Sequence, residues 1–266
     1  MTLQLNESVQ PYKEFPGRNT EQMPLLIKEK RTPLSIYGLG QRRIQVLGEE
    51  FSDEVRDSWW NNYFDTGDGA AYDTEGNMKF VPDAQLLRNI TPQSNIKGGA
   101  LVFPDDVYES LPGTSFTKAE LQKHAGRWLR KGEPRENPLW QAKFRGDQNT
   151  LVAYEDAAFE RASQYGHTVA MGVFPDSPSK HHKMRAWGVV GVNYGQSGAC
   201  SGSNINLGGN GGRLVGVAPE AHAGRKIERP TNGIVTPSLE QVLGLEHAFI
   251  EGGRSAYEAA ARKLFK

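Results

Sequence analysis

The stretch "HTVAMGVFPDSPSKHHKMRAWGVVGVNYGQSGACSGSNINLGGNGGRLVGVAP", His167 to Pro219, decides the fold class. Three runs within it, 167–174, 185–192 and 213–218, are short, apolar and rich in Val, and each is bounded by Pro, Gly, Ser or Asn. Runs of that length with such borders read as strands. The connections between them, "PDSPSKHHKM" and the glycine-rich 194–212, show no helical period. Strands joined without crossover helices pair antiparallel, because a parallel pair needs a long return connection. The stretch is therefore expected to form an antiparallel meander, with 194–212 as a flexible loop carrying Cys200 at its crest.

Upstream, "GAAYDTEGNMKFV" holds two short strand-like runs around the turn Asp73–Asn77, which reads as a hairpin across 70–81. Helical spacing dominates elsewhere. Leu34, Tyr37, Ile44, Leu47 and Phe51 recur at helical intervals, and Ser52 followed by Asp53 and Glu54 starts a second helix, so helices are expected across 34–60. Thr117 with Glu120 three residues on is a capping-box pattern that starts a helix near 117–131. Further helices are expected near 138–164, where apolar positions gather on one face, and near 238–265. Grouped strands flanked by runs of helices give an α+β class, a mostly antiparallel sheet packed with helices. Residues 1–30 lack any period and carry Pro11 and Pro16. They are expected to be an extended N-terminal arm, followed by a single α+β domain over 31–266.

With 266 residues, five Trp, nine Tyr and eleven Phe, the chain has ample material for a core. One cysteine excludes an intrachain disulfide framework and any zinc site of several thiolates. No secretory apolar run opens the chain, and no stretch approaches the ~20 apolar residues of a membrane span. We therefore expect a soluble, cytoplasmic protein without membrane contact. The 31 basic and 31 acidic residues cancel, but they are segregated. Acids crowd 49–75, and bases crowd 116–145.

That segregation yields two candidate surfaces. Lys123, Arg127, Arg130, Lys131, Lys143 and Arg145, interleaved with Trp128, Trp140 and Phe144, have the mixture of cations and rings that contacts phosphates and stacks on bases. The acids Asp65, Asp68, Asp73 and Glu75 supply the oxygen ligands that Ca²⁺ or Mg²⁺ takes from loops, although not at EF-hand spacing.

Asp65-Thr66-Gly67, following Tyr63-Phe64, resembles the active-site signature of aspartic proteases, with Asp68 standing where that family carries a small residue. The resemblance implies two carboxylates sharing a proton and activating water. With only one such motif, the pair would form from two Asp65 residues of a symmetric dimer. A competing interpretation of the same stretch is an acidic turn that ends a helix and opens a hairpin. Cys200, amid the backbone donors of "SGACSGS", is a candidate nucleophile if a histidine such as His167 reaches it in the fold.

Cofactor motifs are absent. Gly38-Leu39-Gly40 begins like a dinucleotide fingerprint but has Arg43 at the third glycine, and neither a P-loop nor a G-x-S-x-G elbow occurs. The expected function is binding or assembly, with nucleic acid or another polyanion meeting 116–145 and self-association through the arm. The alternative is a hydrolase built on Asp65–Asp73 or on Cys200.

Overall fold

In the computed structural model, which describes residues 11–192 and 196–219, the chain begins with β1 (Tyr12–Pro16), α1 (Asn19–Lys28) and the short β2 (Thr32–Pro33). Two helices follow, α2 (Ile36–Gln45) and α3 (Asp53–Trp60). Each is started by a serine: the Ser35 hydroxyl accepts from the Gly38 N–H, and the Ser52 hydroxyl accepts from the Val55 N–H. These bonds satisfy donors that a helix start leaves unpaired. Next come β3 (Phe64–Tyr72) and β4 (Met78–Val81), which form the expected hairpin with Tyr72 opposite Met78. Asp73 organises its turn, one carboxylate oxygen accepting from the backbone N–H groups of Glu75, Gly76 and Asn77.

The chain continues through α4 (Gln85–Arg88), β5 (Ile96–Lys97), β6 (Ala100–Val102), α5 (Asp105–Ser110), β7 (Thr114–Phe116), α6 (Lys118–His124) and β8 (Trp128–Arg130). Then follow α7 (Glu133–Glu136), α8 (Pro138–Lys143), α9 (Gln148–Gln164), β9 (Val169–Phe174), β10 (Lys183–Val192), β11 (Gln196–Cys200) and β12 (Arg213–Val217). Among the described residues no helix is long and apolar enough to cross a membrane.

The strands join one sheet whose main path runs β1-β12-β3-β10-β11-β9-β8, with β2 on β12, β4 and β7 beyond β3, and β6 and β5 beyond β10. Helices packed with a large sheet agree with the expected class, but the sheet is mixed, with two parallel pairings among the antiparallel ones. β12 runs parallel to β3, and β11 runs parallel to β9. Two departures from the meander produce this. A strand, β11, forms inside the stretch expected to be a loop, and β12 crosses to the far side of β3 to pair with β1.

The small residues of β11 explain why a loop-like composition makes a strand. A Cβ on Gly198 would lie 3.0 Å from the Trp128 ring, a tight contact that the bare backbone avoids. Ser197 is buried, and its hydroxyl is hydrogen-bonded to Tyr154 and Arg43.

Apolar side chains fill both faces of the sheet. One cluster holds Trp59, Trp60, Trp140, Phe144, Tyr154 and Trp187 under α2, α3, α8 and α9, and the other holds Phe15, Leu26, Leu87, Ile205, Leu207 and Leu214. Along β3, Ala70 and Tyr72 enter the first cluster and Ala71 the second, as the two-residue period of a strand requires.

Two expected helices differ from what forms. The helix across 117–131 is only α6: Gly126 takes φ 78°, and Trp128–Arg130 becomes the edge strand β8 against β9. The helix across 138–164 is split, because Arg145 and Gly146 adopt φ 56° and 77° before Asp147 caps α9 through the Thr150 N–H. Helices near 238–265 lie outside the described residues. Within the segment expected as an arm, Tyr12–Pro16 pairs with β12 of its own chain, and Asn19–Lys28 is helical.

Candidate functional site

After β11, the glycine-rich segment Ser201–Gly212 is held by the rest of the fold rather than left loose. The Ser201 N–H donates to Phe174 O, the Leu207 N–H to Gly99 O, and the Gly17 N–H to Gly212 O, while Leu207 O accepts from the Thr20 N–H. Arg185 Nη1 donates to Ile205 O at 2.8 Å, and Arg18 Nε donates to Asn210 Oδ1 at 2.6 Å. Ile205 and Leu207 are buried anchors in the second apolar cluster. Composition made this segment look flexible, yet its order comes from donors and acceptors far away in sequence.

So held, the segment walls a cleft of about 220 Å³ lined by Tyr63, Asp65, Asn204, Ile205, Asn206 and the glycines 209, 211 and 212. Asp65 is the one lining residue with a carboxylate, and it is only 4% exposed. Its Oδ2 accepts from Asn19 Nδ2 and from the Arg213 N–H, both at 3.0 Å. Oδ1 accepts no hydrogen bond among the described residues. Burial pushes the Asp65 carboxyl above its usual range, against the opposing pull of the Arg213 N–H, the Asn19 amide and the Arg213 charge.

The Arg213 guanidinium is engaged elsewhere. Its Nε lies 3.0 Å from Glu14, its Nη1 donates to Asn62 at 2.8 Å, and it stacks 5.0 Å from the Tyr63 ring. The Tyr63 O–H in turn donates to Gly211 O.

The other candidate residues are placed differently. Asp68 is also buried and also has its carboxyl raised by burial, but both of its oxygens are taken: Oδ2 by the Ile36 N–H and Oδ1 by the Asp83 N–H. Thus Asp65 faces the cleft while Asp68 ties α2 and the turn after β4 to β3. Asp73 serves its own turn, where Oδ2 accepts from Asn77. Among the described residues no three His, Cys, Asp or Glu side chains gather as a metal-holding group, and Asp65, Asp68 and Asp73 each serve separate donors. Cys200 is half-buried in β11, its thiol donating to Asn204 Oδ1 at 3.0 Å, so it stands one hydrogen bond behind the cleft wall. His167 lies in the turn between α9 and β9, where its backbone N–H donates to Ala162 O.

Three of the basic set are engaged within the fold. Arg127 forks onto Glu133, and Lys131 pairs with Asp156 at 2.7 Å. Lys143 is fully buried in the core, where no polyanion reaches it. Lys123, Arg130 and Arg145 are exposed on three different parts of the chain: α6, β8 and the turn after α8.

Sequence patterns pointed to Asp65 but missed Tyr63, Asn204, Asn206 and the supporting Asn19. Their one legible signal is the run of asparagines in "SGSNINLGGNGG", a residue type that hydrogen-bonds both ways.

No known family profile matches the chain, and no curated protein matches it. Among solved structures, the chain is similar to one concerned with how the C-type lectin fold accommodates massive sequence variation in Nanoarchaeota, at a TM-score of 0.56 and 18% identity, covering 80% of this chain and 99% of that one. That likeness is one of fold, and it places the helices and mixed sheet described above beside the C-type lectin fold.

Proposed function

We propose that the protein is a binding protein and that the cleft beneath Asn204–Gly212 receives its ligand. One observation carries this. Of the buried carboxylates Asp65, Asp68 and Glu155, Asp68 has both oxygens occupied by backbone donors, and Glu155 has both occupied by Gly132 and Arg135. Only Asp65 keeps an unengaged oxygen, and it is the one that lines a cleft. A carboxylate oxygen that no protein donor engages, on a residue lining a concave surface, is a place where a ligand can complete the bonding.

The fold supports the same reading. The similar structure concerns how the C-type lectin fold accommodates massive sequence variation in Nanoarchaeota. A hydrolase gains little support, because Asp65 and Asp68 have separate partners. Asp65 is also too deeply buried to meet a second copy of itself across a dimer interface.

A side chain added at Gly211 would meet open space, so Gly211→Trp should fill the cleft without disturbing the fold. Titrating a library of small polar fragments into isotope-labelled protein should shift the amides of Tyr63, Ile205 and Gly211, and Gly211→Trp should abolish those shifts. Hits that map elsewhere, or that persist in Gly211→Trp, would sink the proposal.

A further inference from the structure

Resting on that cleft, we infer that its ligand group is a hydrogen-bond-donating cation, a guanidinium or primary ammonium seated on Asp65 Oδ1. Asp65 is the only lining residue that carries a formal charge. Among the described residues no cation pairs with Oδ1. Arg213, the nearest, is bound to Glu14 and Asn62, and Arg18 is bound to Asn210 and Glu21.

A second idle acceptor is buried behind the Gly212 wall of the cleft. Asn19 is 1% exposed, and its Oδ1 is buried without a hydrogen-bond partner, while its Nδ2 holds Asp65. That Oδ1 lies against Gly212 of the cleft, close enough that a Cβ there would come within 2.6 Å of it. An open carboxylate oxygen, with an idle amide oxygen behind the same wall, suits a ligand with N–H donors and positive charge. Neutral hydroxyl groups could fill the hydrogen bonds but leave the buried charge uncompensated, and charge-assisted bonds are roughly twice as strong as neutral ones. Size agrees: at about 220 Å³ the cleft is smaller than sites for drug-sized molecules, and it suits a cationic head group.

Methylguanidine and methylurea test this with a matched pair of nearly equal shape and different charge. The wild-type protein should bind methylguanidine at least about tenfold more tightly than methylurea, read by shifts of the Tyr63 and Ile205 amides. Asp65→Asn, checked for a dispersed amide spectrum, should lose that preference because it turns an N–H toward the ligand. Equal affinity for the two probes in the wild type overturns the inference while leaving the cleft as a neutral-ligand site. Absence of any cleft ligand, by contrast, overturns the proposed function itself. A capped Gly-Arg-Gly peptide distinguishes the sources: tighter binding than methylguanidine assigns the cation to a polypeptide side chain, and equal or weaker binding assigns it to a free small molecule.

Discussion

Lys143 shows how much one side chain can cost this fold. It ends α8 with no exposed surface and no hydrogen-bond partner for Nζ, which lies 3.6 Å from the centroid of the Trp187 ring and 5.2 Å from that of Phe80. Burial lowers its pKa from 10.5 to about 7, against the pull of the Asp68 charge. Below about 7 both folded and unfolded chains hold the proton, and the cost of burying an ammonium is at full strength. Between about 7 and 10.5 only the unfolded chain holds it, so stability rises with pH, and above 10.5 the cost is gone. The penalty is on the order of 3–5 kcal/mol before the ring faces return about 0.5–2 kcal/mol. Lys143→Met keeps the stem and packs sulfur against the indole. It should therefore raise the unfolding free energy by roughly 2–3 kcal/mol at pH 6, with the gain fading toward pH 10.5. Denaturant titrations of both proteins across that range decide it; a gain that does not change with pH would show that the charge is not its cause. Nothing in sequence spacing distinguishes Lys143 from exposed Arg145, since α8 is too short for its buried face to show as a period.

At the scale of elements, what could be read in advance was what local chemistry decides. Thr117 accepts from the Glu120 N–H, and the Glu120 carboxylate accepts from the Thr117 N–H, as the spacing alone indicated. Thr117→Ala removes one half of that reciprocal pair and should cost about 1 kcal/mol in chemical denaturation, whereas a loss within error would mean that α6 frays without weakening the whole. The elements that were misread are those set by distant partners. Trp128–Arg130 carries the same residues whether helical or extended; pairing with β9 makes it a strand. Gln196–Cys200 looked like part of a loop, and its strand form depends on β9, β10 and the rings of Trp128 and Phe174. The site divides in the same way. Asp65 stood out through its neighbours Thr66 and Gly67, but the cleft wall depends on Arg185, Gly99, Thr20 and Gly17, and no local window contains those contacts.

Across the whole molecule, the sheet is closed at one side by the start of the described chain. β1 covers the edge of β12, pairing Tyr12 with Val217 through Pro16 with Arg213. Pro11 O accepts from the Ala218 N–H and from Arg31, and Phe15, 4% exposed, packs in the second cluster. The same segment leads directly into the cleft, since the Gly17 N–H holds Gly212 and Asn19 holds Asp65. Removing residues 1–17 should therefore do two separable things. It should uncover the β12 edge and lower stability by more than Phe15→Ala, which alone should cost about 3–4 kcal/mol. It should also free Gly212, so that cleft amides lose protection from hydrogen exchange even under conditions where the truncated protein stays folded. Equilibrium unfolding of the three proteins, read beside their exchange rates, tests both consequences. A truncated chain as stable as the full one, with the Leu207 and Arg213 amides that donate to Gly99 O and Asp65 Oδ2 still protected, would mean that β12 and the cleft stand without β1.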